Sequence, residues 1–357
     1  FSIAYSSYGG LKAVAYTDII QVVLLVFGGL VLTYISLDLV SDGKGMLAGF
    51  TILTEQAPEK FDMIFAADSP HYISLPGLSV LIGGMWVMNI SYWGFNQYII
   101  QRALAAKDLA EAQKGIAFAA YLKILVPFFV VVPGIAASVL FTDLDRADQA
   151  YPSLMNLMPI GLKGLVFAAL FAAIVSSLAS MCNSISTIFT MDIYSHFKKN
   201  ESQSHYVKVG RIVSILALII AMICAKPLLG QFEQAFQYIQ EFTGFFTPGI
   251  VVIFLLGMFW KTMNSMGAIT AAVGSAVLSF ILREVFPELP FMDRVGIVFL
   301  ACIALAVIVS LATRKNYIAG GTGVVSLDKV NFDTKGSFNM LGIGIIVILA
   351  ALYTIWW

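Results

Sequence analysis

The sequence predicts an all-α polytopic membrane protein with about nine transmembrane helices. Apolar residues make up 59% of the 357 residues and charged residues only 12%, whereas about 25% of residues are charged in a soluble domain. Mean hydropathy is +0.87. Many uncharged stretches approach the roughly 20 residues that cross a bilayer as a helix. With one shorter apolar segment, the predicted spans are 19–37, 69–101, 124–142, 164–191, 212–225, 242–260, 262–282, 295–313 and 336–357.

Charge and motif content exclude several classes of function. The formal net charge is zero, which gives no reason to expect a nucleic-acid partner, and the lipid bilayer is the expected surrounding. His71, His196 and His205 fall in loops or at helix ends, which argues against a haem or metal centre. A phosphate-binding glycine loop followed by Lys and Ser or Thr is also absent from the sequence. A secondary transporter or a channel is left, without an enzymatic activity or a cofactor.

The second predicted span carries a polar stripe that is expensive to place in lipid. On a continuous helix, five side chains would share a sector of about 140° at 100° per residue. They are Asn89, Tyr92, Trp93, Asn96 and Gln97. Gly83, Gly84 and Gly94 weaken the helix around the stripe, and broken helices border the substrate in many transporters. The stripe could equally be a helix-packing surface with interhelical hydrogen bonds.

Polar residues in three other predicted spans also allow two interpretations. Lys123 could extend its ammonium group to the interface, or donate hydrogen bonds to a buried solute. Ser176, Ser180, Asn183 and Thr187 form a stripe at i, i+4, i+7 and i+11. Its small residues favour close helix packing, yet the adjacent hydroxyls of Ser176 and Ser177 could also ligate a small hard cation. Gln240 and Glu241 lie deeper in their span than the polar residues before them, which favours a functional role.

Four segments of the chain resemble the sodium/solute symporter family, and within it the sodium–glucose/galactose branch. The most specific match is YWGFNQYIIQRALAAK at residues 92–107. GGLKAVAYTD at 9–18, AIVSSLAS at 173–180 and AFQYIQE at 235–241 support it. The matches cover essentially the whole chain, in the order and with the spacing typical of the family.

The resemblance implies a leucine-transporter-type fold, in which two five-helix repeats have inverted topology. The whole chain, 1–357, would form a single transmembrane domain. Residues 1–40 would contain the last helix of the first repeat, 74–260 the second repeat, and 261–357 three peripheral helices. The chain starts at Phe1 without Met, so we expect an N-terminally incomplete inverted-repeat fold.

The resemblance also implies site residues and a function. The implied sugar contacts are Asn89, Tyr92, Trp93, Lys123 and Gln240. Tyr92 would also close the site from the cytoplasm, and Phe236 would form part of the outer gate. The implied sodium ligands are Ala173, through its carbonyl, and Ser176 and Ser177. Asp18 resembles an acidic residue on the ion exit path.

The implied activity is secondary active, sodium-coupled symport of a glucose- or galactose-like sugar by alternating access, in the plasma (cell inner) membrane. Na⁺ is the expected coupling ion, and the sugar and Na⁺ are the expected small-molecule partners. A symporter of the same family for another solute, such as proline, sialic acid or pantothenate, is the alternative, and a channel is a third candidate.

Overall fold

A computed structural model describes residues 2–69, 72–73, 77–229, 235–314, 324–330 and 332–357. These residues form sixteen α-helices and no strand. In chain order the helices are α1 (Ser2–Val40), α2 (Met46–Gln56), α3 (Leu78–Ile82), α4 (Gly84–Ile90), α5 (Gln97–Leu104), α6 (Leu109–Val126), α7 (Val132–Leu140), α8 (Ala150–Asn156), α9 (Ile160–Thr187), α10 (Ser195–Phe197), α11 (Gln203–Leu229), α12 (Ala235–Gly244), α13 (Thr247–Phe259), α14 (Ser265–Val285), α15 (Phe291–Ala312) and α16 (Gly336–Ile355). Side chains in α1 are described from Tyr16 onward.

The prediction of an all-α polytopic membrane protein is confirmed, and up to eight of its nine predicted spans have counterparts among the described residues. Among the described residues, seven continuous helical stretches are long and apolar enough to cross a membrane. An eighth candidate is a bent pair, Tyr238–Gly244 and Thr247–Phe259, with 42° between its halves. These eight correspond to the predicted spans other than 69–101. Part of that stretch, 70–71 and 74–76, lies outside the described residues.

The described part of the stretch 69–101 is a series of short helices, because its backbone leaves the helical path at two points. Gly83, with φ −119° and ψ −103°, separates α3 from α4. A π-helical turn, Ser91–Phe95, then ends at Asn96, whose φ of −87° and ψ of 113° are extended. The expected break around the polar stripe is therefore confirmed. The single continuous stripe is wrong, because the helix is interrupted at Asn96, between Trp93 and Gln97.

The chain divides into two compact units, residues 1–61 with 101–235 and residues 62–100 with 236–357. In the first unit, α1 packs along α9. The Val166 side chain packs directly on the backbone of Gly28, where an added Cβ would lie 2.6 Å from Cγ2 of Val166. Leu32, Leu154 and Val166 are buried in the adjoining apolar cluster. This packing sets the register between two helices that carry candidate ion-site residues.

In the second unit, α13, α14 and α15 pack together, and α4 packs against α15. Small residues again allow close approach: an added Cβ at Gly84 would fall 1.9 Å from the carbonyl oxygen of Met292. Phe95 stacks on Phe254 with ring centroids 4.6 Å apart, which fixes the π-helical turn to α13. The backbone of α4 therefore has a defined place beside α15.

The outward-facing side chains of the candidate spans are large and apolar. Ile20, Phe167, Ile223, Leu300 and Ile346 are each more than 60% exposed. Soluble proteins rarely expose such extended apolar surface, whereas lipid requires it. The assignment of residues to an inverted repeat and to peripheral helices stays a prediction.

Candidate functional site

A polar cluster joins three segments of the first unit around Asp18. The hydroxyl of Ser176 donates to Oδ1 of Asp18. Nη2 of Arg102 lies 2.6 Å from Oδ2 of the same carboxylate and donates to Oγ of Ser180 at 2.8 Å. One guanidinium group thus links α5 to both α1 and α9.

Helix α9 supplies two hydroxyl groups to this cluster because it is continuous through the region. Ser176 and Ser180 are one turn apart and only 3% and 2% exposed. Ser180 also donates to the carbonyl oxygen of Ser176 at 3.1 Å. The Asp18 side chain is 25% exposed, so its charge is partly removed from water. The ion pair with Arg102 offsets the free-energy cost of desolvating this carboxylate, which would be uncompensated if Asp18 had no cationic partner in the span.

The stripe predicted on α9 is confirmed as a polar face, and it continues from the cluster towards the C-terminal end of the helix. Asn183 donates to Oε1 of Gln101 at 3.3 Å, and Gln101 is 9% exposed. Thr187 donates to the carbonyl oxygen of Asn183 at 2.8 Å. The helix period of 3.6 residues places these side chains in one row.

The three implied sodium ligands occupy different environments. Ser176 is buried against Asp18, Ala173 is half-buried, and Ser177 is exposed. The structure therefore brings together Ser176 and Asp18, which were predicted for an ion site and an ion path separately. A carboxylate and hydroxyl oxygens are ligands that hard cations accept, and Arg102 occupies the carboxylate in this conformation.

Sequence reasoning missed the role of Arg102 in this cluster. The residue stands in the specific motif at 92–107, yet its Asp18 partner is 84 positions away. An arginine within a predominantly apolar motif was the available signal, because a charge at membrane depth needs a partner.

Aromatic side chains surround the π-helical turn in the second unit. Tyr92 and Trp93 meet edge to face, with ring centroids 5.2 Å apart. The hydroxyl of Tyr98 donates to that of Tyr92 at 3.3 Å. Asn89 donates to the carbonyl oxygen of Met85 at 2.9 Å. Tyr92 and Trp93 remain 42% and 45% exposed.

The three remaining candidates lie on two helices, α12 and α6. Gln240, half-buried, and Phe236, 74% exposed, stand on α12 of the second unit. Lys123 is an exposed residue of α6 in the first unit, shortly before a π-helical turn at Pro127–Val131.

Comparisons with known proteins agree with the resemblance. The family model described as "Sodium:solute symporter family" matches residues 1–274. The chain is 48% identical over 375 aligned residues to a sodium/glucose cotransporter of Vibrio parahaemolyticus, covering 100% of this chain and 68% of that protein. It is 35% identical to sodium/myo-inositol cotransporter 2 of Rattus norvegicus, covering 78% of this chain and 45% of that protein. Sodium/glucose cotransporter 4 of Danio rerio is also 35% identical, with 74% of this chain and 44% of that protein covered.

These matches show that the chain belongs to the sodium:solute symporter family. It is an integral, multi-pass membrane protein, in keeping with its apolar helices. The chain spans about two thirds of the Vibrio cotransporter and less than half of the two vertebrate relatives.

Proposed function

We propose that this chain belongs to a sodium-coupled sugar symporter of the plasma membrane that works by alternating access. The observation that carries the proposal is the 48% identity, over the whole chain, to a sodium/glucose cotransporter. The activity is transport without covalent chemistry, with Na⁺ as the coupling ion and no further cofactor.

The sugar contacts proposed on this basis are Asn89, Tyr92, Trp93, Lys123 and Gln240. A sugar offers a ring of hydroxyl groups and an apolar CH face. Amides and an ammonium group satisfy the hydroxyl groups, and an aromatic ring covers the CH face. In this role Tyr92 also forms the inner gate and Phe236 part of the outer gate.

For the ion, Ala173, Ser176 and Ser177 supply oxygen ligands, and Asp18 accepts Na⁺ on its way to the cytoplasm. The contact between Ser176 and Asp18 supports this order, because it connects the ligand set to the exit residue. Arg102 and Na⁺ are then alternative cations for one carboxylate. Arg102 neutralises Asp18 whenever the ion is elsewhere, which keeps the carboxylate from holding Na⁺ too strongly.

The free energy stored in the sodium gradient is sufficient to accumulate a sugar inside the cell. Moving one Na⁺ through 100 mV yields about 2.3 kcal/mol, and a tenfold concentration gradient adds about 1.4 kcal/mol. The sum concentrates a neutral sugar roughly 500-fold for each ion coupled. Sodium has to favour the sugar-competent state, since a ligand that binds two states equally shifts neither.

Uptake by proteoliposomes containing the protein tests the proposal. We expect labelled glucose or galactose to accumulate when Na⁺ is imposed outside, and not when K⁺ replaces it. Unlabelled glucose, galactose and myo-inositol should be compared as competitors with proline, sialic acid and pantothenate. Sodium-dependent uptake of one of the latter three, without sugar uptake, would assign another solute. A sodium-independent conductance without accumulation would indicate a channel.

Removing a hydroxyl group from the sodium site should affect the ion more than the sugar. We expect Ser176→Ala and Ser177→Ala each to raise the Na⁺ concentration for half-maximal uptake several-fold, by about 1 kcal/mol of lost ligation. Sugar affinity at saturating Na⁺ should change less. Ser202→Ala, in an exposed loop, is the control. A Na⁺ dependence equal to that of the control in both variants would make the serines packing residues.

A further inference from the structure

A partly buried ion pair fixes the helix that carries Gln240. Arg294, in the first turn of α15, has a side chain only 6% exposed, and its Nη2 lies 2.7 Å from Oε1 of Glu241 on α12. Arg283, at the end of α14, approaches the same oxygen with Nε at 3.6 Å and is 47% exposed. Glu241 therefore faces α14 and α15, and Arg294 is the closer and more buried of its two arginine partners.

The bend that follows α12 is held by the same two helices. Ser275 of α14, fully buried, donates to the carbonyl oxygen of Phe245 at 2.7 Å. It accepts from the backbone N–H of Gly249 at 3.0 Å, so one hydroxyl group joins both sides of the bend. The guanidinium carbon of Arg294 lies 5.6 Å from the ring centroid of Phe245, within the range of a cation–π contact.

These contacts define both the position and the rotation of α12. The bend fixes the C-terminal end of the helix, and the ion pair lies one turn before it. Adjacent residues are about 100° apart around a helix, so fixing Glu241 against α15 fixes the direction of Gln240 as well. A rotation of α12 by a few tens of degrees would move the Gln240 amide by ångströms.

We propose that Arg294 and Glu241 are a positioning pair for Gln240, and that they contribute to sugar affinity without touching the sugar. The proposal rests on the proposed function, in which Gln240 binds a sugar hydroxyl group. Helices α14 and α15, expected to be peripheral, then act as the rigid support of one side of the solute site. Removing the Arg294 guanidinium group from water is costly, and the need to orient α12 accounts for keeping this ion pair.

Sugar uptake kinetics in proteoliposomes test the proposal. We expect Arg294→Gln and Glu241→Gln each to raise the KM for sugar about tenfold, with maximal uptake per inserted transporter changed less than about twofold. The Na⁺ concentration for half-maximal uptake should stay near the wild-type value. Arg283→Gln is the matched control, because that arginine is more exposed and farther from Glu241, and it should stay within about twofold of wild type.

A double variant distinguishes positioning from general stabilisation. If Arg294 acts through Gln240, the KM of Gln240→Ala/Arg294→Gln should equal that of Gln240→Ala alone. Independent effects would multiply instead. Multiplied effects, or an unchanged KM in Arg294→Gln, would overturn the proposal. Loss of both Arg294→Gln and the milder Arg294→Lys from the membrane would assign the pair to folding. Absent sugar uptake by the wild type would instead refute the proposed function.

Discussion

Replacing Arg102 by Ala is expected to lower maximal sodium-driven uptake about tenfold, because it leaves the Asp18 carboxylate without its cation. Leaving Asp18 unpaired costs less than breaking a fully buried ion pair would, since the side chains of Asp18 and Arg102 are 25% and 36% exposed. An unneutralised Asp18 should also bind Na⁺ more tightly and release it slowly. Uptake normalised to the amount of transporter in the membrane measures this effect, and efflux of ²²Na⁺ from preloaded vesicles measures release.

Lys114→Ala is the matched control for this change. Lys114 forms an ion pair of 2.7 Å with Glu111 on the surface of α6, where both side chains are more than half exposed. An exposed pair of this kind contributes little, so uptake should match wild type. Equal behaviour of Arg102→Ala and Lys114→Ala would show that the Asp18 cluster has no part in transport.

Replacing Gln240 or Lys123 by Ala should raise the KM for sugar about tenfold or more. Each change removes a hydrogen-bond donor to a sugar hydroxyl group. A hydrogen bond from the charged Lys123 is worth about 1.5–3 kcal/mol, and loss of the neutral Gln240 amide leaves a buried hydroxyl group unsatisfied at a cost of about 1–3 kcal/mol. Initial rates of labelled sugar uptake at saturating Na⁺, across a range of sugar concentrations, give the KM.

Lys163→Ala and Lys123→Arg are the controls for this experiment. Lys163 donates to Oδ1 of Asn156 at 3.2 Å and has no proposed role, so its variant should keep the wild-type KM. Lys123→Arg keeps the charge and should retain part of the affinity. Unchanged KM values for Lys123→Ala and Gln240→Ala would leave Lys123 as an interfacial lysine and Gln240 as a packing residue.

The long helices were predictable because hydropathy over about 20 residues decides membrane insertion. The stripe on α9 was predictable too, since the helix is continuous from Ile160 to Thr187. The stretch 69–101 differs from the prediction as a single span and as a continuous stripe, although its glycines predicted the break. The place of α4 depends on how closely Gly84 approaches Met292, and the π-helical turn depends on packing against α13. Neither contact is encoded in local periodicity.

The candidate site residues were also predictable only in part. Residue type and depth within a span identified Ser176, Lys123 and Gln240 as candidates. The partners of charged groups were not predictable, because they come from distant parts of the chain. Arg102 meets Asp18 across 84 positions, and Arg294 meets Glu241 across 53. Such pairs depend on which helices become neighbours, which a single sequence does not specify.

The π-helical turns have a consequence for how homologous sequences should be aligned. Three occur among the described residues, at Ser91–Phe95, Pro127–Val131 and Ile188–Tyr194. A π-helical turn encloses one residue more than an α-helical turn, so losing that residue restores ordinary winding without moving either end of the helix. Single-residue gaps between family members should therefore collect at these turns. An ungapped alignment across such a position would shift every later residue by one, about 100° around the helix.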